Sequence, residues 1–192
     1  MKPMPFLTAI VLVLMFTISA RAQDEGGTPS REIPRVQIAG GYSFVQNLGF
    51  DQSIPGGWFI SADRNVSERL SITLDLSASG TVVHHLAFLP GHVTHWSTGG
   101  LMLGPTLSNR ENGRLVVFSR LLGGIATAGS DDGSGAALGI QPGVGFDYNF
   151  SRHLGMRATA DYRWLAGIGT ASGESASQVW LRTGLVVSFG AQ

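Results

Sequence analysis

Apolar side chains alternate with polar or small ones along eight segments of this chain, and clusters of Gly, Asn, Asp and Ser separate the segments. In the third segment Leu70, Ile72, Leu74 and Leu76 share one face, while Ser, Thr and Asp occupy the other. Alternation with a period of two is typical of a β-strand whose two faces meet different surroundings. The eight segments lie near residues 36–44, 58–63, 70–79, 96–108, 115–127, 138–149, 154–164 and 178–189.

The connections between these predicted strands alternate in length. The short ones span residues 65–69, 109–113 and 151–153, and the longer ones span 46–55, 80–95, 128–135 and 166–177. Short turns at one end and long loops at the other are typical of outer-membrane barrels, whose turns lie in the periplasm. An even number of strands predicts that both chain ends lie on that same side.

The polar faces decide between two kinds of eight-stranded barrel. A soluble, lipocalin-like barrel carries its apolar side chains inside and should show many Lys and Glu outside. Here charged residues make up only 14% of the chain, and the polar faces hold mainly Ser, Thr and Gly. We therefore predict an all-β fold, an eight-stranded antiparallel up-and-down transmembrane β-barrel with its apolar face toward lipid. The absence of cysteine excludes a disulfide scaffold, a thiolate metal site and a catalytic thiol.

The N-terminal segment has the features of an export signal. Lys2 is followed by an apolar stretch at 6–18 and by the small-x-small sequence Ala20-Arg21-Ala22. The stretch is shorter than the roughly 20 residues of a spanning helix. We predict a signal peptide at 1–22, a flexible leader at 23–34 and a barrel domain at 35–190, located in the cell outer membrane.

Aromatic residues on the apolar parity fall near the strand ends, which predicts the two girdles that mark membrane interfaces. The predicted girdle residues are Tyr42, Phe44, Trp58, Tyr148, Tyr162 and Trp164.

Eight charged residues fall on the inward parity, four acids and four arginines. They are Asp63, Asp75, Arg120, Asp147, Arg157, Asp161, Arg163 and Arg182. Buried charges persist when paired, and an eight-stranded barrel is just wide enough for side chains to fill it. The set predicts a lumen plugged by Arg–Asp pairs; alternatively, the charges line small water pockets without pairing.

Several short sequences resemble those of the small outer-membrane β-barrel superfamily, of the OmpA/OmpX type. They are residues 39–44, 103–107, 112–114, 121–124 and 185–189. The resemblance implies that the last strand carries an alternating apolar signal read by the barrel-assembly machinery. Its residues here are Leu181, Leu185, Val187 and Phe189.

Four histidines lie within the longest predicted loop: His84, His85, His92 and His95. Imidazoles so close together could bind Zn²⁺ or Cu²⁺, but the spacing matches no known ligand motif and a solvated loop is the favoured interpretation. No Gly-x-Ser-x-Gly sequence supports a lipid-modifying hydrolase, so no enzyme and no cofactor are predicted.

Charge is unevenly divided between the two ends. The predicted outer loops contain acids but no Arg or Lys, whereas the turns are rich in arginine. The predicted role is structural or surface-interacting; the alternatives are a narrow channel for small solutes and, third, a lipid A-modifying enzyme. The expected partners are outer-membrane lipid and the assembly machinery, with no nucleic acid, and the chain is expected to be a monomer.

Overall fold

The computed structural model describes residues 33–48, 52–84, 93–110, 114–130, 133–166 and 176–191. Within these ranges the chain forms eight strands. They are β1 (Pro34–Asn47), β2 (Gln52–Asn65), β3 (Leu70–His84), β4 (Val93–Asn109), β5 (Leu115–Ser130), β6 (Gly133–Asn149), β7 (Leu154–Ala166) and β8 (Ala176–Ala191). No helix in this part of the chain is long and apolar enough to cross a membrane. The predicted signal peptide and most of the leader lie outside the described residues.

The strands pair in chain order and close into a barrel. Each strand is antiparallel to its neighbours, and β1 pairs with β8 to complete the ring, for example through Val36 and Phe189. The predicted up-and-down eight-stranded barrel is therefore confirmed. We call the end with the β2–β3, β4–β5 and β6–β7 connections the turn end and the opposite end the loop end.

The outer surface of the barrel is apolar. Large side chains on the outward parity of every strand are exposed, such as Leu101, Leu121 and Leu185 at 52%, 53% and 58%. Charged side chains in the middle of the strands all lie on the inward parity and are buried. This arrangement reverses that of a water-soluble protein, in which charged side chains cover the surface.

The prediction gave the interior a lining of polar and small side chains, but the interior also contains large apolar ones. Three buried apolar clusters line it: Met102, Leu122, Ala126 and Leu165; Ala39, Phe59 and Val186; and Val45, Ile54 and Trp180. They fill space that the many inward Gly and Ser residues leave, because protein interiors are packed without large voids.

The strands run further toward the loop end than the alternation predicts. The predicted loop at 128–135 is wrong for most of its length, because β5 and β6 pair up to Ser130 and Gly133. Likewise β3 continues to His84, and β2 begins at Gln52 inside the predicted first loop. Backbone pairing needs no particular side chain, so Gly- and Ser-rich sequence joins the ladder although it shows no alternation. The barrel strands start at Pro34 and end at Ala191.

Arginine substitutions at two outward positions of one strand, one near its middle and one at its end, test which surface faces lipid. Leu121 lies near the middle of β5 and Leu115 at its turn end, and both point outward. We expect Leu121→Arg to lower the unfolding free energy by about 2–4 kcal/mol in phospholipid vesicles, and Leu115→Arg by about 0–1 kcal/mol. Urea titration followed by tryptophan fluorescence measures both. Equal, near-zero effects would mean that this surface faces water.

Candidate functional site

Four charged side chains meet in the lumen in an alternating ring, which we call the central quartet: Asp75, Arg120, Asp161 and Arg182. Arg120 donates two hydrogen bonds to the Asp161 carboxylate, at 2.8 and 2.7 Å. Arg182 Nη1 lies 2.7 Å from Asp75 Oδ2, and Arg120 Nη1 lies 3.5 Å from the same oxygen. Arg182 Nε lies 3.7 Å from Asp161 and closes the ring. Each charge thus faces two of opposite sign.

The quartet joins four strands, of which only β7 and β8 are neighbours. Asp75 comes from β3, Arg120 from β5, Asp161 from β7 and Arg182 from β8. The inward parity places each side chain, and a glycine makes room for one of them. Gly143 on β6 pairs with Asp161, and a Cβ at Gly143 would overlap the Asp161 carboxylate. The glycine and the acid are therefore complementary in size.

A second group lies nearer the turn end and consists of Arg157, Asp63 and Asp147. Arg157 donates to both Asp147 oxygens, at 2.7 and 2.8 Å, and its Nη1 donates to Asp63 Oδ2 at 2.6 Å. Thr73 donates to the other Asp63 oxygen. Bidentate arginine–carboxylate pairs of this kind are strong and fix the orientation of both groups. This triad carries one more negative than positive charge.

Arg163 differs from the expected Arg–Asp pairing. The described residues place no carboxylate within ion-pair distance of it; its Nε donates to Gln141 Oε1 at 2.8 Å and its Nη2 to Ser77 Oγ at 2.9 Å. Its guanidinium lies over the Trp180 ring, 4.2 Å from the centroid. Arginine stacks on aromatic faces more readily than lysine does, and the Arg182 guanidinium lies over the same ring at 5.0 Å.

The positive charge of Arg163 offsets the surplus negative charge of the triad. With the quartet neutral, the eight inward charges sum to zero, as the sequence composition of this set predicts. Unpaired buried charge is strongly destabilising. Seven of the charges contact an opposite charge, and Arg163 is held by hydrogen bonds and the Trp180 ring.

The lumen is closed at the level of the quartet. Arg163, Gln141, Trp180 and Met102 each have 0% exposure, and both side chains of the Arg182–Asp75 pair are also at 0%. Arg163 from β7 reaches Ser77 on β3, the opposite strand of the ring, so the contact crosses the full width. A side chain with no accessible surface leaves no water-sized gap beside it.

Sequence reasoning gave no role to several inward-facing lumen residues that surround these charges. They include Ser77, Gln141, Gln178, Trp180 and Thr98, which are polar or aromatic residues on the inward parity. Gln178 and Thr98 hydrogen bond across the lumen at 3.2 Å, and Trp180 Nε1 donates to Gln178 at 3.0 Å. The available signal was parity: Gln141 is an inward amide that stands between the glycines Gly139 and Gly143 of β6.

The predicted girdle residues point outward. Tyr42 and Trp58 are register partners on β1 and β2, exposed at 50% and 47%. Tyr148 packs edge-on against Phe150 near the turn end, with ring centroids 5.5 Å apart. The remaining predicted members, Phe44, Tyr162 and Trp164, are partly or largely exposed on the same outward parity.

The four residues of the predicted insertion signal also face outward, on β8. Leu181, Leu185 and Phe189 are exposed and Val187 is partly exposed. Because β8 pairs with β1, they lie beside the seam where the barrel closes.

The structure describes two of the four loop histidines, His84 and His95. His84 pairs with Val93 and His95 with Val82, so both belong to the β3–β4 ladder. His85 and His92 lie outside the described residues. Within the described ranges, no three His, Asp or Glu side chains are placed to hold a metal ion.

Comparison with known proteins identifies the fold. No protein-family model and no curated protein sequence matches the chain. OprG, an outer membrane protein of Pseudomonas aeruginosa, is similar with a TM-score of 0.56 at 11% identity, over 84% of this chain and 98% of OprG. Neisserial surface protein A, NspA, gives a TM-score of 0.56 at 12% identity, over 80% of this chain and 96% of NspA.

A third similar structure is Ail, the attachment invasion locus protein of Yersinia pestis, in complex with the heparin analogue sucrose octasulfate. Its TM-score is 0.55 at 14% identity, over 80% of this chain and 96% of Ail. Together with the closed ring of eight strands, these likenesses show that the chain has the fold of the small outer-membrane barrels.

Removal of one charge from the quartet tests how much the quartet contributes to the free energy of unfolding. In Asp161→Asn, Arg120 and Arg182 share the single carboxylate of Asp75, which leaves a buried positive charge uncompensated. We expect a loss of about 3–5 kcal/mol in unfolding free energy, measured by urea titration in vesicles. Glu68→Gln, which neutralises an exposed acid in the β2–β3 turn, is the matched control and should change stability by less than about 0.5 kcal/mol. Similar losses in the two variants would contradict the role of the quartet.

Proposed function

We propose that this chain is an integral protein of the bacterial outer membrane, a barrel with a closed lumen that presents its loop end on the cell surface. The observation that carries the proposal is the reversed placement of side chains. The eight charges in the middle of the strands face a buried lumen, while the exposed outer surface is apolar. Such a barrel is stable where hydrocarbon covers the outside, because lipid-facing charge is costly and lipid-facing leucine is not.

The closed lumen supports a scaffold role over a solute channel. The quartet side chains are at most 1% exposed, Arg163 and Trp180 are fully buried, and hydrogen bonds cross the lumen between opposite strands. A wide solute path would require these contacts to break together. We infer that the lumen network stabilises the wall, and that the chain acts through the surface at its loop end.

The loop end lacks the cationic side chains that a sulfated ligand needs. Ail is described in complex with a heparin analogue, a polyanion whose binding requires cationic groups. In this chain residues 46–55, 80–95, 128–135 and 166–177 contain no Arg or Lys. A surface partner of the loop end is therefore expected to be neutral or cationic, and heparin-like polymers are not expected to bind there.

Lipid and the barrel-assembly machinery are the other proposed partners. The outward row of β8, which includes Leu181, Leu185 and Phe189, is the surface proposed to be read during insertion. Once lipid covers the apolar surface no second copy is needed to bury it, so we propose a monomer.

Conductance measurement tests the closed lumen. We expect the refolded wild-type chain to give no steady conductance in planar bilayers, because side chains fill the lumen at the quartet. The variant Arg120→Ala/Asp161→Ala removes one ion pair without changing net charge, and we expect small, stable openings. Glu68→Ala/Arg69→Ala removes an equal and opposite pair from an exposed turn and should behave as wild type. A large steady conductance in wild type would show that the lumen is open.

Cysteine labelling tests membrane location and orientation. The natural chain has no cysteine, so single substitutions give an unambiguous signal. Ser134 lies exposed at the loop end of β6, and Ser151 lies exposed in the β6–β7 turn. On intact cells, a membrane-impermeant maleimide should label Ser134→Cys but not Ser151→Cys, and both proteins should fractionate with outer membranes. Labelling of Ser151→Cys alone would reverse the orientation, and recovery in the soluble fraction would exclude the proposed location.

A further inference from the structure

Exposed charge in the described part of the chain is confined to the turn end. It consists of five arginines and one acid, Glu68. The arginines are Arg35, Arg64, Arg69, Arg114 and Arg152, which we call the arginine belt. Since the lumen charges balance among themselves, the belt is a net positive surface that no interior group neutralises.

The belt extends around the barrel. Arg35 lies at the start of β1, Arg64 and Arg69 flank the β2–β3 turn, Arg114 precedes β5, and Arg152 lies in the β6–β7 turn. None of the five forms an ion pair with a described carboxylate, and the sequence of the three turns offers only Glu68 and Glu111 as acids. A ring of separated cations suits many small anions spread over a plane better than one compact ligand.

The position of Arg64 shows that the belt lies at the edge of the apolar outer surface. It lies on the outward parity of β2 and pairs with Val36 on β1 and Ile72 on β3, both outward. Val36 pairs in turn with Phe189 on β8, an exposed aromatic residue. Arg64 therefore extends from the edge of the apolar surface, where a long side chain covers hydrocarbon with its stem and places its charged head among polar groups.

We propose that the arginine belt binds the phosphate groups of anionic phospholipids, such as phosphatidylglycerol, in the leaflet at the turn end. Guanidinium groups bind phosphate through paired hydrogen bonds, and arginine does so with fixed geometry. The proposal rests on the membrane insertion of the proposed function, but it does not depend on which side of the membrane the turn end faces.

The charge of the loop end restricts the proposed binding of anionic lipid to the turn end. Its connecting segments contain acids and no Arg or Lys, so they repel the anionic headgroups that the belt attracts. The barrel thus carries negative charge at its loop end and positive charge at its turn end. Attraction of a cationic side chain to an anionic membrane surface corresponds to about a fivefold enrichment per residue.

The test measures lipid selectivity of the full chain refolded in phosphatidylcholine vesicles. Spin-labelled phosphatidylglycerol and spin-labelled phosphatidylcholine are compared as probes of the motionally restricted lipid at the barrel surface. We expect wild type to prefer phosphatidylglycerol severalfold, with the preference falling as NaCl rises from 0.1 to 1 M because salt screens exposed charge. Equal association of the two probes with wild type would overturn the proposal.

Charge variants assign the preference to the belt. Arg64→Gln/Arg69→Gln/Arg114→Gln/Arg152→Gln should reduce it to near unity, and the matched four-lysine variant should retain much of it. Arg35 is kept because its side chain lies beside Gly190, where an added Cβ would be 3.3 Å from the Arg35 Cβ. A full preference in the four-glutamine variant would overturn the proposal. Loss of preference with inorganic phosphate, but not with NaCl at equal ionic strength, would assign the belt to free phosphate and overturn the lipid assignment.

The two proposals fail in different ways. Heat-dependent gel mobility and circular dichroism report whether each protein has inserted and folded, independently of lipid selectivity. A wild-type chain that does not insert contradicts the proposed function, while an inserted wild type without selectivity contradicts the belt alone. The belt side chains are exposed, so their substitution should leave folding intact.

Discussion

Hydrocarbon offers no hydrogen-bond partner to a peptide group, so a strand within it must pair on both sides. The chain meets this condition by joining β1 to β8, which leaves no free edge in the ring. Closure with eight strands also fixes the interior width at about what side chains can fill. The outward leucines, the small inward residues and the room that Gly143 leaves for Asp161 all follow from a closed ring of this size.

Within that narrow interior, seven of the eight charges contact an opposite charge, and the eighth, Arg163, is held by neutral partners. The quartet is neutral, the Arg157 triad is negative by one, and Arg163 supplies the remaining positive charge while stacked on Trp180. Buried pairs of this kind add little net stability over apolar packing, but they tolerate loss of one partner poorly. They therefore hold the strands in one register.

Period-two alternation is a local property, which is why eight strands and the inward side of Asp63, Asp75 and Arg120 could be predicted from sequence. The partner of each charge depends on register and on closure across the ring, which no local pattern encodes. Arg157 reaches Asp63 three strands away, and Arg163 pairs with the amide of Gln141 and not with an acid. Strand ends at Ser130 and Gly133 were missed because Gly- and Ser-rich ladder residues show no alternation.

The contacts of the lumen network also have a kinetic consequence. Asp75 and Arg182 are separated by 107 residues, and Asp63 and Arg157 by 94. Neither pair can form until the last strands have joined the first, so these ion pairs belong to the final stage of folding. Interactions formed after the transition state govern the unfolding rate more than the folding rate. These two pairs are therefore expected to bear on how long an assembled barrel lasts more than on how fast it assembles.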